Sequence, residues 1–110
     1  MSLEDHPLFL IDQPEDDLDN ETIFRHVVEP LLGRKHRSQF IVATHNPNIP
    51  VLGDSELVHA CREVDKGRYD HSSGSLDAVA TRDAIVSIME GGAQAFEQRQ
   101  KIYSQWTNSL

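Results

Sequence analysis

Basic residues, cysteine, aromatics and long apolar runs are all scarce in this 110-residue chain, and each scarcity closes off a class of function. The single cysteine, Cys61, cannot form an internal disulfide, so the chain must hold its fold without a covalent cross-link. It stands in the apolar-rich stretch LVHAC, where a buried structural thiol is expected rather than a reactive one. Ten Lys and Arg against 18 Asp and Glu leave a net charge of −8. That balance argues against a nucleic-acid-binding surface, which needs clustered bases to contact phosphates. Arg34, Lys35 and Arg37 form one basic knot, which a solvated loop explains. No apolar run approaches the roughly 18 residues of a membrane span. The N-terminus shows no basic stretch leading into an apolar core, so a cytosolic location is expected. Aromatics make up 6% of the residues, and Phe96, Tyr103 and Trp106 are expected to pack rather than to form a ligand platform. The length fits one small domain spanning residues 1–110. Met1, Ser2 and Leu3 are compatible with a cloning remnant.

What the chain does have is acid, concentrated at one end. Eight acidic residues precede the first base, Arg25, and the other ten balance the ten bases. The densest part is Leu8 to Asn20, LFLIDQPEDDLDN, where an apolar run leads straight into a carboxylate-rich turn. Packing like charges this closely costs free energy unless water, backbone N–H groups or a cation screens them.

Leu8 to Ile11 and Phe40 to Ala43 are apolar runs too short for helices and bounded by turn residues, so both read as buried strands of a parallel sheet. Between them Asp19 or Asn20 can cap a helix whose apolar positions Ile23, Phe24, Val27, Val28 and Leu31 recur at helical spacing and end near Gly33. Pro30 should kink or shorten its last turn. A strand, a crossover helix and a parallel strand form a right-handed unit that brings both strand ends to one edge of the sheet. Asp12 and His45 then share that rim. Asn46 to Pro50 reads as a proline-stiffened loop. Leu57 to Val64 reads as a third strand, Lys66-Gly67 as a turn, Arg68 to His71 as a short return strand, and Ser72 to Ser75 as a flexible surface loop. Thr81 is expected to cap a helix carrying Ile85, Ile88 and Met89, which stops at Gly91-Gly92, and a last helix carries Phe96, Ile102, Tyr103 and Trp106. The fold class is therefore α/β.

In open α/β sheets ligands sit beyond the carboxyl ends of the strands, which puts Asp12 where a Mg²⁺–phosphate complex could be met. A carboxylate there can hold Mg²⁺ directly or through its waters. A calcium loop starting at Asp12 fails on spacing: it would need an oxygen ligand at Pro14, a glycine at Asp17 and a glutamate at Ile23. Taken alone, Asp19, Asn20 and Glu21 fit a solvated, helix-capping loop, but Asp12 against an apolar strand does not.

LFLIDQPEDDLDN followed by FIVATHNPNIPVLGDSE resembles the C-terminal lobe of an ABC-type ATPase head domain. The likeness is to the SMC- and RecF-like branch associated with DNA repair and mobile-element defence, including large bacterial ATPases fused to PHP-type phosphoesterase domains. The resemblance implies a partial P-loop NTPase fold, with a small β-hairpin and C-terminal helices. It implies ATP and Mg²⁺ as cofactors, with Asp12 as the Walker B metal ligand. Asp16, Asp17, Leu18 and Asp19 correspond to the D-loop that contacts the partner subunit across an ATP sandwich, and His45 to the switch histidine at the γ-phosphate. Ile88-Met89-Glu90-Gly91-Gly92 and Phe96 look like the closing helices of this branch.

The family's water-polarising glutamate is replaced by Gln13. An amide cannot accept a proton as a carboxylate does, although it can orient water. Three readings stay open: Gln13 positions water while His45 contacts the γ-phosphate, Glu15 substitutes as the carboxylate, or the head holds ATP and turns it over slowly as a clamp. The slow clamp is favoured. A P-loop, G-x-x-x-x-G-K-[ST], is absent, as is the ABC signature. The chain is therefore expected to be one lobe of a longer protein, inactive alone and completed by an N-terminal lobe, with nucleic acid a candidate partner of other domains. Self-association as a homodimer or a domain-swapped form is expected, because a partial sheet exposes an edge and an apolar face. Two other classes compete with this reading. One is a metal-dependent phosphoesterase using Asp12, Asp16 or Asp17 with His45, His59 or His71; the other is a noncatalytic module whose acidic turn docks a basic partner.

Overall fold

Strand β1, Leu8–Asp12, pairs in parallel with β2, Gln39–Ala43, in a register that sets Leu8 beside Gln39 and Asp12 beside Ala43. These elements belong to a computed structural model that describes residues 7–108; Met1, Ser2 and Leu3 lie outside the described residues. The protein is mixed α/β and divides into two compact units, Met1–Glu56 and Leu57–Leu110.

In the first unit the connection from β1 to β2 is helical, as its periodicity requires. It begins with α1, Asn20–Ile23, passes through a widened π-type segment, Phe24–Val28, and continues as α2, Glu29–Arg34. Asp19 is the N-cap, its Oδ1 accepting the Thr22 N–H at 2.7 Å. Pro30 has no N–H to donate, and its ring crowds the carbonyl four residues back. The helix answers by widening just before it, with the Glu29 N–H donating to Phe24 O five residues back. It ends near Gly33, as expected: Arg34 is its last residue and Lys35 its C-cap. Lys35 is not part of a solvated basic knot. Its ammonium is largely covered, donates to Gly53 O at 3.3 Å and to Asp54 O, and pairs with Glu56 at 2.7 Å.

Ile23, Val28 and Ile49 form the core of this unit, with Val27 and Val42 packed against them. Alternation along the strands sends Phe9, Ile11, Phe40 and Val42 to one face, where the Phe9 and Phe40 rings stack at 5.2 Å. The opposite face, Leu8, Leu10 and Ile41, is bare, with Leu10 73% exposed. The expectation of buried strands is corrected here: among the described residues only one face of the pair is covered. The segment expected as a loop at Asn46 to Pro50 instead forms a short helix, α3, Asn48–Leu52. Pro50 falls in its first turn, where the missing N–H has no helical acceptor to lose.

In the second unit β3, Val58–Asp65, and β4, Arg68–Gly74, make an antiparallel hairpin through Lys66-Gly67. The return strand is longer than its composition suggests. Ser72, Ser73 and Gly74, expected to be loop, pair with Ala60, His59 and Val58. Gly74 has a packing reason, since a Cβ there would lie 2.6 Å from Thr81 Oγ1. Thr81 does not cap the next helix: α4, Val79–Met89, starts after Ala78, and Thr81 is buried within its first turn beside Ile85. Gly91 and Gly92, both at positive φ, separate α4 from α5, Ala93–Thr107. Cys61 is exposed rather than buried. Of the α5 aromatics Phe96 is half-buried, whereas Tyr103 and Trp106 do not enter a core; they contact each other at 5.2 Å and remain 43% and 58% exposed.

Candidate functional site

The carboxyl ends of β1 and β2 meet at one edge, and the Gln13 N–H extends the ladder by donating to Ala43 O at 2.8 Å. Directly beyond that edge the chain turns sharply. Gln13 and Asp17 both sit in the left-handed region, at φ 51° and 64°. For a side chain as long as glutamine this costs about 1 to 2 kcal/mol, whereas aspartate tolerates it better. The turn closes with the Asp16 N–H donating to Gln13 O at 3.2 Å and the Leu18 N–H to Glu15 O at 3.0 Å.

Each residue singled out from the sequence has a definite place in this turn. Asp12 is the last residue of β1 and is exposed at the strand tip. Gln13 and Glu15 are half-buried, while Asp16, Asp17, Leu18 and Asp19 are exposed along the turn that leads into α1. His45 is exposed two residues beyond β2, on the loop facing the same edge.

Glu15 joins the two loops. Its Oε1 accepts the Thr44 hydroxyl and its Oε2 accepts the His45 backbone N–H, both at 2.8 Å. Burial works against its charge, but these two hydrogen bonds and the nearby His45 outweigh it and hold the carboxyl below its ordinary value. Thr44 Oγ1 accepts in turn the Asn46 N–H at 2.9 Å, and Asn46 Oδ1 accepts the Asn48 N–H at 2.9 Å, which starts α3. Asn46 Nδ2 donates to Asn20 Oδ1 at 3.2 Å. The acidic turn is thus tied to the histidine loop at both of its ends, through Glu15 and through Asn20. Residue types alone give Thr44 and Asn46 no site role and offer Asn20 only as a helix cap, so their part in joining the two loops is a finding of the structure. The signal available for them was the Thr-His-Asn run directly after an apolar strand, whose short polar side chains favour local backbone hydrogen bonds.

The geometry at the edge is open. A shallow depression of about 290 Å³ lies alongside, lined by Asp19, Glu21, Thr22, Arg25 and His26, and includes neither Asp12 nor His45. Among the described residues no three His, Cys, Asp or Glu side chains form a group able to hold a metal ion. In the second unit the hairpin brings His59 and His71 together, with ring centroids 6.3 Å apart and His59 hydrogen-bonded to Ser73. Among the described residues no helix is long and apolar enough to cross a membrane.

Comparison with protein-family models and with curated proteins finds no match to this chain.

Proposed function

We propose that this chain is the C-terminal lobe of an ABC-type, SMC/RecF-like ATPase head, a partial P-loop NTPase fold that contributes the metal-binding and switch side of a composite ATP site. One observation carries the reading. The strand ending in Asp12 and the strand leading to His45 are parallel neighbours in register, so an acid and a histidine stand at the same strand-end edge. That edge is where open α/β sheets receive phosphate ligands. In this role Asp12 holds Mg²⁺, His45 offers a polar contact to the γ-phosphate, and Gln13 orients the attacking water. Mg²⁺ would supply charge neutralisation on the β- and γ-phosphate oxygens. The exposed turn Asp16 to Asp19 is the surface offered to a second copy across the nucleotide.

Two further features support half a site rather than a whole one. Parallel sheets are ordinarily covered on both faces, yet Leu8, Leu10 and Ile41 are bare. The edge is also open rather than concave, and the sequence contains no G-x-x-x-x-G-K-[ST] loop to cradle phosphates. The partner that completes the site is a P-loop lobe of the same protein, and the whole head works in the cytoplasm on nucleic acid held by other domains. The test is single-turnover ATP hydrolysis by a polypeptide in which this chain is joined to that lobe, comparing the native residue with Asp12→Asn. Loss of turnover by two or more orders of magnitude in the variant is expected; unchanged turnover refutes the proposal.

A further inference from the structure

We infer that Glu15 is a positioning residue for His45, a strap that fixes the histidine loop against the acidic turn, and not the base that replaces the missing glutamate. The inference rests on the ATPase reading for its functional meaning and on hydrogen-bond geometry for its physical content.

The Glu15 carboxylate receives two donors from one loop, the Thr44 hydroxyl and the His45 backbone N–H, each at 2.8 Å. A general base needs a lone pair aimed at its proton donor and a pKa near the working pH. Glu15 has the reverse, because both its oxygens are engaged by donors on the β2 side. Those donors favour the charged form that holds the strap and make the carboxylate a weaker base. Gln13 differs, since its backbone is fixed by Ala43 O while its side chain enters none of these bonds.

The strap also explains the strained backbone. Left-handed φ at Gln13 turns the chain back at once after β1, and the next two residues bring Glu15 opposite Thr44 and His45. The Asn20 to Asn46 hydrogen bond closes the other end of the turn on the same loop. A displacement of the acidic turn is therefore transmitted to His45, which couples the surface facing a second subunit to the residue facing the γ-phosphate.

Glutamine at position 15 weakens the strap, because it removes the charge and puts an NH2 donor in place of one of the two acceptor oxygens. Two measurements test the inference, one without nucleotide. In the 110-residue chain, amide hydrogen exchange at His45 should accelerate at least fivefold in Glu15→Gln and more in Glu15→Ala, while exchange at Ile23 and Val28 stays within twofold. Unchanged exchange at His45 overturns the strap. In the polypeptide completed by the P-loop lobe, Glu15→Gln should lower kcat about tenfold with KM for Mg-ATP within twofold, and the pH profile should keep its shape. A loss of the acid limb of that profile would make Glu15 the base and overturn the inference. If Asp12→Asn leaves turnover intact, it is the ATPase reading that fails, whatever the exchange data show.

Discussion

Glu15 and His45 are 30 positions apart in sequence, yet the Glu15 carboxylate accepts the His45 backbone N–H at 2.8 Å and makes two loops into one structural piece. Removing the carboxylate should therefore weaken the first unit as well as loosen the histidine loop. Hydrogen bonds to charged groups are worth about 1.5–3 kcal/mol when buried, and half-exposure reduces that. Glu15→Ala is expected to cost about 1–2 kcal/mol in urea unfolding followed by circular dichroism. Thr44→Val spares the His45 bond but removes both the Glu15 contact and the acceptor of the Asn46 N–H, so it should cost a similar amount, about 1–2 kcal/mol.

Acid should act through the same contact. Glu15 has its pKa lowered because the His45 and Thr44 hydrogen bonds outweigh burial, and Glu56 is lowered by its hydrogen bond to Lys35. A carboxyl whose folded value lies below its unfolded one stabilises the fold fully above the unfolded value, near 4.5 for glutamate. That contribution fades as pH falls through the lowered folded values. Unfolding midpoints should thus be flat from pH 7 to about 5.5 and fall below about 4.5. In the Glu15→Gln, Glu56→Gln double variant the drop should be shallower.

The contact at Gly74 supplies a packing test in the second unit. A methyl group at that position would meet Thr81 Oγ1 at 2.6 Å, so one side must shift. Gly74→Ala is expected to cost about 1–3 kcal/mol. Thr81→Ala should recover part of it, giving a double-mutant coupling above about 0.5 kcal/mol in chemical denaturation.

The bare sheet face leads to a prediction about association. Leu8, Leu10 and Ile41 are 55%, 73% and 52% exposed on one side of a parallel pair. Sedimentation velocity at increasing concentration should show reversible self-association, and Leu10→Glu should reduce it at little cost in stability, because that side chain contributes nothing to the core. A strictly monomeric native chain at millimolar concentration would contradict this expectation.

The parts of the fold legible in the sequence are those where one local rule acts alone. The apolar run ending in Asp12, its counterpart ending in Ala43, and the helical periodicity between them gave the parallel pair and the shared edge without ambiguity. The parts that were not legible are those where pairing or position overrides composition. Ser72, Ser73 and Gly74 read as loop by residue type, but Val58 to Ala60 present a ladder that recruits them. Asn46 to Pro50 reads as a proline-stiffened loop, but the first turn of a helix has no hydrogen bond for Pro50 to break. Thr81 reads as a cap, yet the close approach that Gly74 permits buries it. The candidate site divides in the same way. Asp12, Gln13 and His45 were visible as residue types at strand ends, whereas the role of Glu15 depends on a contact across 30 positions that no local pattern encodes.

The proposed ATPase role requires Asp12 and His45 to face one metal-bound triphosphate, and a paramagnetic metal reports on that arrangement. Mn²⁺ with a nonhydrolysable ATP analogue, added to the polypeptide carrying both lobes, should broaden the NMR resonances of residues 12–15 and 44–46. Asp12→Asn should restore their sharpness. Resonances of Gln13 and His45 that stay narrow while the metal–nucleotide complex is bound, or broadening that ignores the Asp12 variant, would mean that this strand-end edge does not hold the nucleotide.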